Sequence, residues 1–301
     1  MEAPASSANL GPGFDIFALS LREPRDRLTL ERAQSGVSIS VRGSGGLPET
    51  PDQNVAGAVA RAVMADQGIK DGVSMLLTKG VPVGAGLGSS AASSVAAAAG
   101  TSALFGLDLQ PREIIRYAGL GERLASGTAH YDNVTASYAG GFVIVGKEFD
   151  YVKMEPPRSL ALCLVTPNVE LPEKKTKYAR SLLPRSVSLK TMVDVTRAAS
   201  LMVHGFATGD IGEIGKAMAV SPVDEARAKM IPGFERVRKA GLARGATGVC
   251  ISGAGPTVLA VSDKRRSQGV VKGMVGAFRS GGIESSGFIT RVGGGCRVAE
   301  R

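Results

Sequence analysis

Apolar and polar residues alternate along residues 27–31 and 37–42, a period of two that predicts an antiparallel pair of strands turned to one core. Pro51 and Asp52 predict the start of a helix that Gly68 ends. Residues 73–79, Val-Ser-Met-Leu-Leu-Thr-Lys, favour a strand, and the Ala-rich, Pro-free run 91–104 favours a helix closed by Gly106. Pro111 opens the next helix, with Ile114, Ile115, Ala118 and Leu124 expected on its buried side. Residues 140–146 read as a buried strand. The pattern breaks at Glu155, Pro156 and Pro157, which sets the expected domains at 1–156 and 157–301. Beyond the break come strand 160–165, helical segments over 173–239, strands 247–252 and 258–261, helix 264–279 and strand 285–291. That order is β-α-β-β-α-β with extra helices in the first crossover, the split ferredoxin-like arrangement.

The junction between strand 73–79 and the helix after it carries the candidate chemistry. It reads Pro82, Val83, Gly84, Ala85, Gly86, Leu87, Gly88, Ser89, Ser90, Ala91, Ala92 and Ser93. Three residues without Cβ let the backbone take positive φ and approach a ligand. The first N–H groups of the following helix have no intrahelical partner and point at an anion. A bland reading, a tight turn with a serine cap, stands beside it. The Walker pattern needs Lys after its last Gly, where Ser89 stands, and a Rossmann fingerprint needs Gly there. Ser89 and Ser90 bring hydroxyls to the helix start, suited to phosphate oxygens or a magnesium ion.

With 301 residues and 44% hydrophobic content the chain has room for two medium cores. Trp is absent and aromatics make up 5%, so Ala, Val, Leu and Ile must do the packing. The net charge of +9 is spread over scattered Lys and Arg without interleaved aromatics, which leaves a nucleic-acid module a remote third reading and suits an enzyme acting on anions. Cys163, Cys250 and Cys296 are widely spaced, odd in number and without a C-x-x-C, which supports neither a zinc site nor a disulfide framework, and the first two are expected in the core. Neither a signal peptide nor an apolar run of ~20 residues is present, so a cytoplasmic, membrane-free protein is expected.

Single residues have bland readings too. Asn54 is placed to cap a helix, and Arg180 and Arg227 alone would be surface charges. Glu122, near a helix C-terminus, opposes the helix dipole unless a cation offsets it. His204, in the apolar helical stretch 193–207, is expected to be a satisfied helix residue, whereas His130 lies in the polar stretch 126–137. In Asn9-Leu-Gly-Pro-Gly-Phe-Asp15, two glycines and a proline fix a turn that brings two polar side chains together.

Taken together, these segments resemble a known family. Residues 82–93 resemble the second motif of the GHMP kinases. Ser7-Ala-Asn-Leu-Gly-Pro-Gly-Phe-Asp15 and His130-Tyr-Asp-Asn133 resemble segments of the homoserine kinases within that superfamily, and Ser252-Gly-Ala-Gly-Pro-Thr257 is similar to the third motif. The matches run in family order to about residue 260. The resemblance implies an α+β, two-lobed fold, with an N-terminal mixed α/β domain bearing the phosphate loop and a C-terminal ferredoxin-like domain. It implies transfer of the γ-phosphoryl of ATP to L-homoserine in threonine biosynthesis, with Mg²⁺. By the same resemblance, 82–93 surround the phosphates, Asn54 lies near adenine, and Ser90 and Glu122 hold the metal. Asp15 pairs with the substrate ammonium, Arg180 and Arg227 with its carboxylate, and Asn9, His130 and Asn133 lie near the hydroxyl. Thr176 touches the substrate or its phosphates, Lys174, Lys175 and Lys177 are spare cations around Arg180, and a homodimer is expected. Family members have a fuller first strand, so a shortened start is expected here. Mevalonate-type kinases hold a catalytic Asp where Asn133 stands, and an amide is no general base, so the proton acceptor stays open. A mevalonate- or shikimate-type acceptor and a catalytically silent binding protein are the alternatives.

Overall fold

The computed structural model describes residues 1–43, 46–172 and 175–299, so Lys174 lies outside the described residues. The chain forms two compact units that exchange segments. The first holds Met1–Ser6, Leu19–Lys153 and the C-terminal segment from Gly293, and the second holds Ser7–Ala18 and Met154–Val292.

The first unit is built from the start of β1 (Glu2–Asn9) and the later part of the long β2 (Gly13–Ala33), followed by β3 (Val37–Arg42), α1 (Val55–Asp66), β4 (Gly72–Thr78), α2 (Ser89–Phe105), α3 (Pro111–Ser126), α4 (Tyr131–Ala139), β5 (Phe142–Val145) and β6 (Tyr151–Met154). The sheet order is β3-β4-β2-β5-β6, with β1 also on β2. The expected pairing of 27–31 with 37–42 does not form. β4 lies between them, antiparallel to β2 from Arg27↔Thr78 to Ala33↔Gly72 and parallel to β3 from Val37↔Val73. The crossover through α1 allows this, since parallel neighbours need a long connection, and Gly72 lets β4 pass against Ser35, where a Cβ would lie 2.4 Å from backbone. α1 begins at Val55 rather than at Pro51 because Asn54 caps it, accepting the Ala56 N–H at 2.9 Å.

α2 is buried along most of its length, and its Ala, Ser and Gly surface lets α1 and α3 pack closely on it. On α3 the buried stripe runs Ile114, Ala118, Glu122, with Ile115 and Tyr117 beside it. Leu124 is 45% exposed, contrary to the sequence expectation, because the i, i+4, i+8 stripe passes through 122 instead.

In the second unit β7 (Leu160–Pro167) is followed by α5 (Lys175–Ser181), α6 (Leu189–Thr208), α7 (Ile211–Met218), α8 (Pro222–Arg227), a 3₁₀ turn, α9 (Phe234–Ala243), β8 (Gly248–Ile251), β9 (Val258–Asp263), α10 (Ser267–Arg279) and β10 (Ser285–Thr290). The antiparallel sheet order β10-β7-β9-β8 is the ferredoxin-like order expected from the element sequence, with α5–α8 filling the first crossover. Phe234, Val237, Val270, Met274 and Phe278 of α9 and α10 pack with Cys163, Val165, Ile251, Val258 and Ala260 of the sheet. Cys163 and Cys250 are buried, as expected. His204 sits on α6 with its ring exposed and Nδ1 against the Glu213 carboxylate. Among the described residues no helix is long and apolar enough to cross a membrane.

The C-terminal segment straps the first unit through Glu2 N–H to Arg297 O (2.8 Å) and Gly141 N–H to Gly293 O (3.0 Å). A Cβ on Gly295 would meet the Tyr138 carbonyl oxygen at 2.0 Å. Gly295→Ala should therefore cost about 1–3 kcal/mol, lowering Tm by roughly 2–10 °C. An unchanged melting curve would show that this strap is not anchored.

Candidate active site

In the first unit, the loop after β4 reaches α2 with Gly84, Gly86 and Gly88 at φ 74°, 82° and 65°. Gly88 is the critical position, since it is left-handed and a Cβ there would fall 2.1 Å from Ser6 Oγ and 3.0 Å from Asn133 Oδ1. As the N-cap of α2 it carries no side-chain cap, so the N–H groups of the first turn stay turned to the loop. Their partial charges, added to the helix dipole, make an anion cradle. Ser89 Oγ closes the base of the loop on Val81 O at 3.0 Å, while the Ser90 side chain faces Glu122 of α3 closely enough to oppose the rise in its pKa. Ala91, Ala92 and Ser93 are buried in the helix, and the Ser93 hydroxyl faces Asp26 and Lys79.

Glu122 is 7% exposed and its Oε1 has no hydrogen-bond partner. Burial pushes its carboxyl up to about 7, with Ser90 opposing and the Asp132 charge adding. A buried orphan oxygen of this kind is costly, and a cation would satisfy it. Ser90 and Glu122 supply hard oxygens, the donor type that suits Mg²⁺, which usually completes its shell with phosphate oxygens and water. The residues present thus fit the ion.

The start of α4 adds a second group. His130 occupies its N-cap position, half-buried, at φ −118° and ψ 125°. Buried Asp132 Oδ1 accepts the Asn133 N–H at 2.7 Å, and Asn133 Oδ1 accepts Ser6 Oγ–H at 2.8 Å. That bond orients the amide. Asn54, by contrast, uses Nδ2 on Pro48 O (2.7 Å) and Oδ1 on Ala56 N–H, the geometry of a cap.

In the second unit the first and third motifs meet. Asn9, Leu10, Gly11 and Asp15 take positive φ in the hairpin tip, and Asn9 Oδ1 accepts the Asp15 N–H at 3.3 Å. Asn9 Nδ2 and Arg227 Nη1 both donate to Gly253 O, at 3.0 and 2.8 Å, and Ser252 Oγ donates to Ser7 Oγ. Arg180 Nη2 reaches both oxygens of Asp15, at 2.9 and 2.6 Å. The Phe14 ring lies under both guanidinium groups, 5.3 Å from Arg180 Cζ and 5.4 Å from Arg227 Cζ. Thr176 lies one turn before Arg180 on α5.

Sequence reasoning gave three of these groups less than the structure does. Lys175, expected only as a spare cation near Arg180, donates its Nζ–H to Gly255 O, and burial, then the Arg227 charge, lowers its pKa to about 8. Asp224 is buried beside Arg227, accepts the Ile251 N–H at 3.0 Å, and is pushed up to about 7 by burial. Phe14 was visible only as a motif letter.

A glycine cradle at the start of a buried helix and a ferredoxin-like unit are the two parts expected from the resemblance to the GHMP kinases, a class of small-molecule kinases. The GHMP kinases N terminal domain matches residues 54–141, and the GHMP kinases C terminal domain matches residues 202–278. A curated homoserine kinase of Haloarcula marismortui is 40% identical over 301 residues, spanning 99% of each chain. The crystal structure of homoserine kinase from Cytophaga hutchinsonii superposes with a TM-score of 0.91 at 34% identity, covering 98% of this chain and 94% of that one. A putative homoserine kinase from Listeria monocytogenes gives 0.74 at 26%, covering 98% and 96%. The chain belongs to the homoserine kinase family, and with it to the ATP-dependent kinases.

Two outcomes follow from the geometry. Gly88→Ala should leave the protein folded but lower kcat by about 100-fold, the scale of an ångström's misplacement, and wild-type turnover would remove the loop from the site. Glu122 starts from 4.5 in the unfolded chain and titrates near 7 when folded, so native protein holds the extra proton between those values. Its contribution to stability is full below pH 4.5 and is lost as pH rises through 7, on the order of 3 kcal/mol. Metal-free Glu122→Gln should therefore melt higher than wild type at pH 8 and close to it at pH 5. A pH-independent difference would contradict the burial account.

Proposed function

We propose that the protein transfers the γ-phosphoryl group of ATP to the side-chain hydroxyl of L-homoserine, giving O-phospho-L-homoserine for threonine biosynthesis. The observation that carries the acceptor's identity is the charge set on the hairpin tip: Asp15 bridged to Arg180, with Arg227 beside it on the same aromatic ring. An amino acid presents the complementary set, an ammonium for Asp15 and a carboxylate for the two arginines. A plain alcohol would leave the Asp15 charge without use. The full-length relatives named homoserine kinase support the same acceptor.

The loop 82–93 binds the phosphates through backbone N–H groups, and Asn54, whose amide caps α1, stands near the adenine. Ser90 and Glu122 would hold Mg²⁺, which when bound neutralises charge on the transferring phosphates. Asp15 takes the ammonium, Arg180 and Arg227 the carboxylate, and Asn9, His130 and Thr176 line the acceptor. Asn133 has its Oδ1 committed to Ser6, so it offers Nδ2 as a donor at the reacting oxygen and takes no proton. Rate enhancement then comes from positioning and charge neutralisation, which a loose phosphoryl transition state permits. We also propose family domains at 1–156 and 157–301, a homodimer and a cytoplasmic location.

Asp15→Asn should lower kcat/KM for L-homoserine by about tenfold or more, with little effect on 4-hydroxybutyrate, which lacks the amine. Arg227→Ala should raise KM for L-homoserine by about tenfold to a hundredfold and leave KM for ATP nearly unchanged. Equal losses on both acceptors, or on both substrates, would contradict these roles.

A further inference from the structure

Behind the phosphate loop, and untouched by the roles above, lies an ion pair sealed from water. Asp26 of β2 is fully buried, and the Lys79 side chain, just after β4, is 2% exposed. Lys79 Nζ donates to Asp26 Oδ2, to Ser89 O at 3.1 Å and to Ser93 Oγ at 2.9 Å. Asp26 Oδ1 accepts the N–H groups of Gly80 (3.1 Å) and Val81 (2.9 Å), and Oδ2 accepts Ser93 Oγ–H at 2.7 Å. The partners divide into two sets. Gly80 and Val81 are where the chain enters the loop, and Ser89 and Ser93 are where it leaves into α2.

We propose that the Asp26–Lys79 pair, with Ser93, is a positioning device for nucleotide binding: it ties the entrance of the phosphate loop to its exit, so that the loop's N–H groups are arranged before the phosphates arrive. A buried ion pair is weak evidence for stability, because apolar side chains of similar volume fill a core as well. No apolar pair, however, can accept two backbone N–H groups at one end of a loop and donate to a carbonyl at the other. Gly80 supports the same reading, since a Cβ there would sit 2.0 Å from Arg25 O, so the entrance lies tight against β2. Preorganisation of this kind raises affinity by sparing the ordering cost on binding. The proposal rests on the loop being the ATP phosphate site and not on the identity of the acceptor.

The test separates positioning from bulk stability. Asp26→Asn and Lys79→Met alone should lower Tm, because each leaves a buried polar group uncompensated. The paired variant Asp26→Leu with Lys79→Met removes both charges. Because the Val81 N–H and Ser89 O still lose their partners, it should melt below wild type but no lower than the single variants, and the folded protein should bind ATP at least tenfold more weakly by calorimetry without acceptor, with KM for L-homoserine within about twofold. Wild-type ATP affinity in the folded paired variant would overturn the proposal. Should that variant not fold, Ser93→Ala deletes one link alone; it should weaken ATP binding about threefold to tenfold at nearly constant Tm, and an unchanged dissociation constant would overturn the proposal equally. Normal ATP binding by wild type without turnover of L-homoserine would remove the acceptor reading and leave this one standing. Absence of ATP binding by wild type would remove both.

Discussion

Gly88 is the constraint on which the first unit's chemistry depends. It turns the chain left-handed into α2 at a point where Ser6 and Asn133 leave no room for a Cβ. Because it contributes no side-chain cap, the helix start remains directed at the loop. The register that follows puts Ser90 against Glu122, one residue after Ser89 has closed the loop on Val81. Ser6, also bonded through its N–H to Leu87 O, links the same loop to the Asn133 amide. The glycine loop, the Ser90 and Glu122 oxygens and the Asn133 amide thus share one local geometry, which is what the proposed phosphate, metal and acceptor roles require.

The two units solve the problem of charge differently. In the first, charge is buried and costly: Glu122 has an oxygen without a partner, which favours neutrality until a cation arrives. At the hairpin tip of the second unit, by contrast, the Asp15–Arg180 bridge is half-exposed and already balanced, and both arginines, Arg227 itself buried, lie over Phe14. Under the proposed roles, a zwitterionic acceptor would exchange partners with that bridge without introducing net charge. Screening by water keeps the exchange cheap, since exposed ion pairs contribute little.

Much of this was legible in the sequence. The glycine loop, Pro111 at a helix start, the break near 155–157 and the β-α-β-β-α-β order each follow from local rules, and the structure agrees on the loop, the helix and the sheet order. Strand pairing was less legible. Residues 27–31 and 37–42 look like neighbours because their patterns match, but periodicity shows which face is buried and not which strand lies beside which. The site was legible only where several residues form a motif. Asp26, Lys79, Lys175 and Asp224 belong to no motif whose chemistry the sequence reveals, and their meaning comes from burial, which long-range packing alone decides. Asn54 shows the reverse case, a motif position whose side chain is occupied by a cap.

The most direct test of the central claim is an ADP-release assay on the purified protein with ATP and Mg²⁺, run with L-homoserine, 4-hydroxybutyrate, mevalonate and shikimate as acceptors, with ³¹P NMR of the product. The account predicts rapid turnover with L-homoserine alone and a phosphomonoester on its side-chain oxygen. Turnover that is equal across the acceptors, or that favours one without an amine, would contradict it.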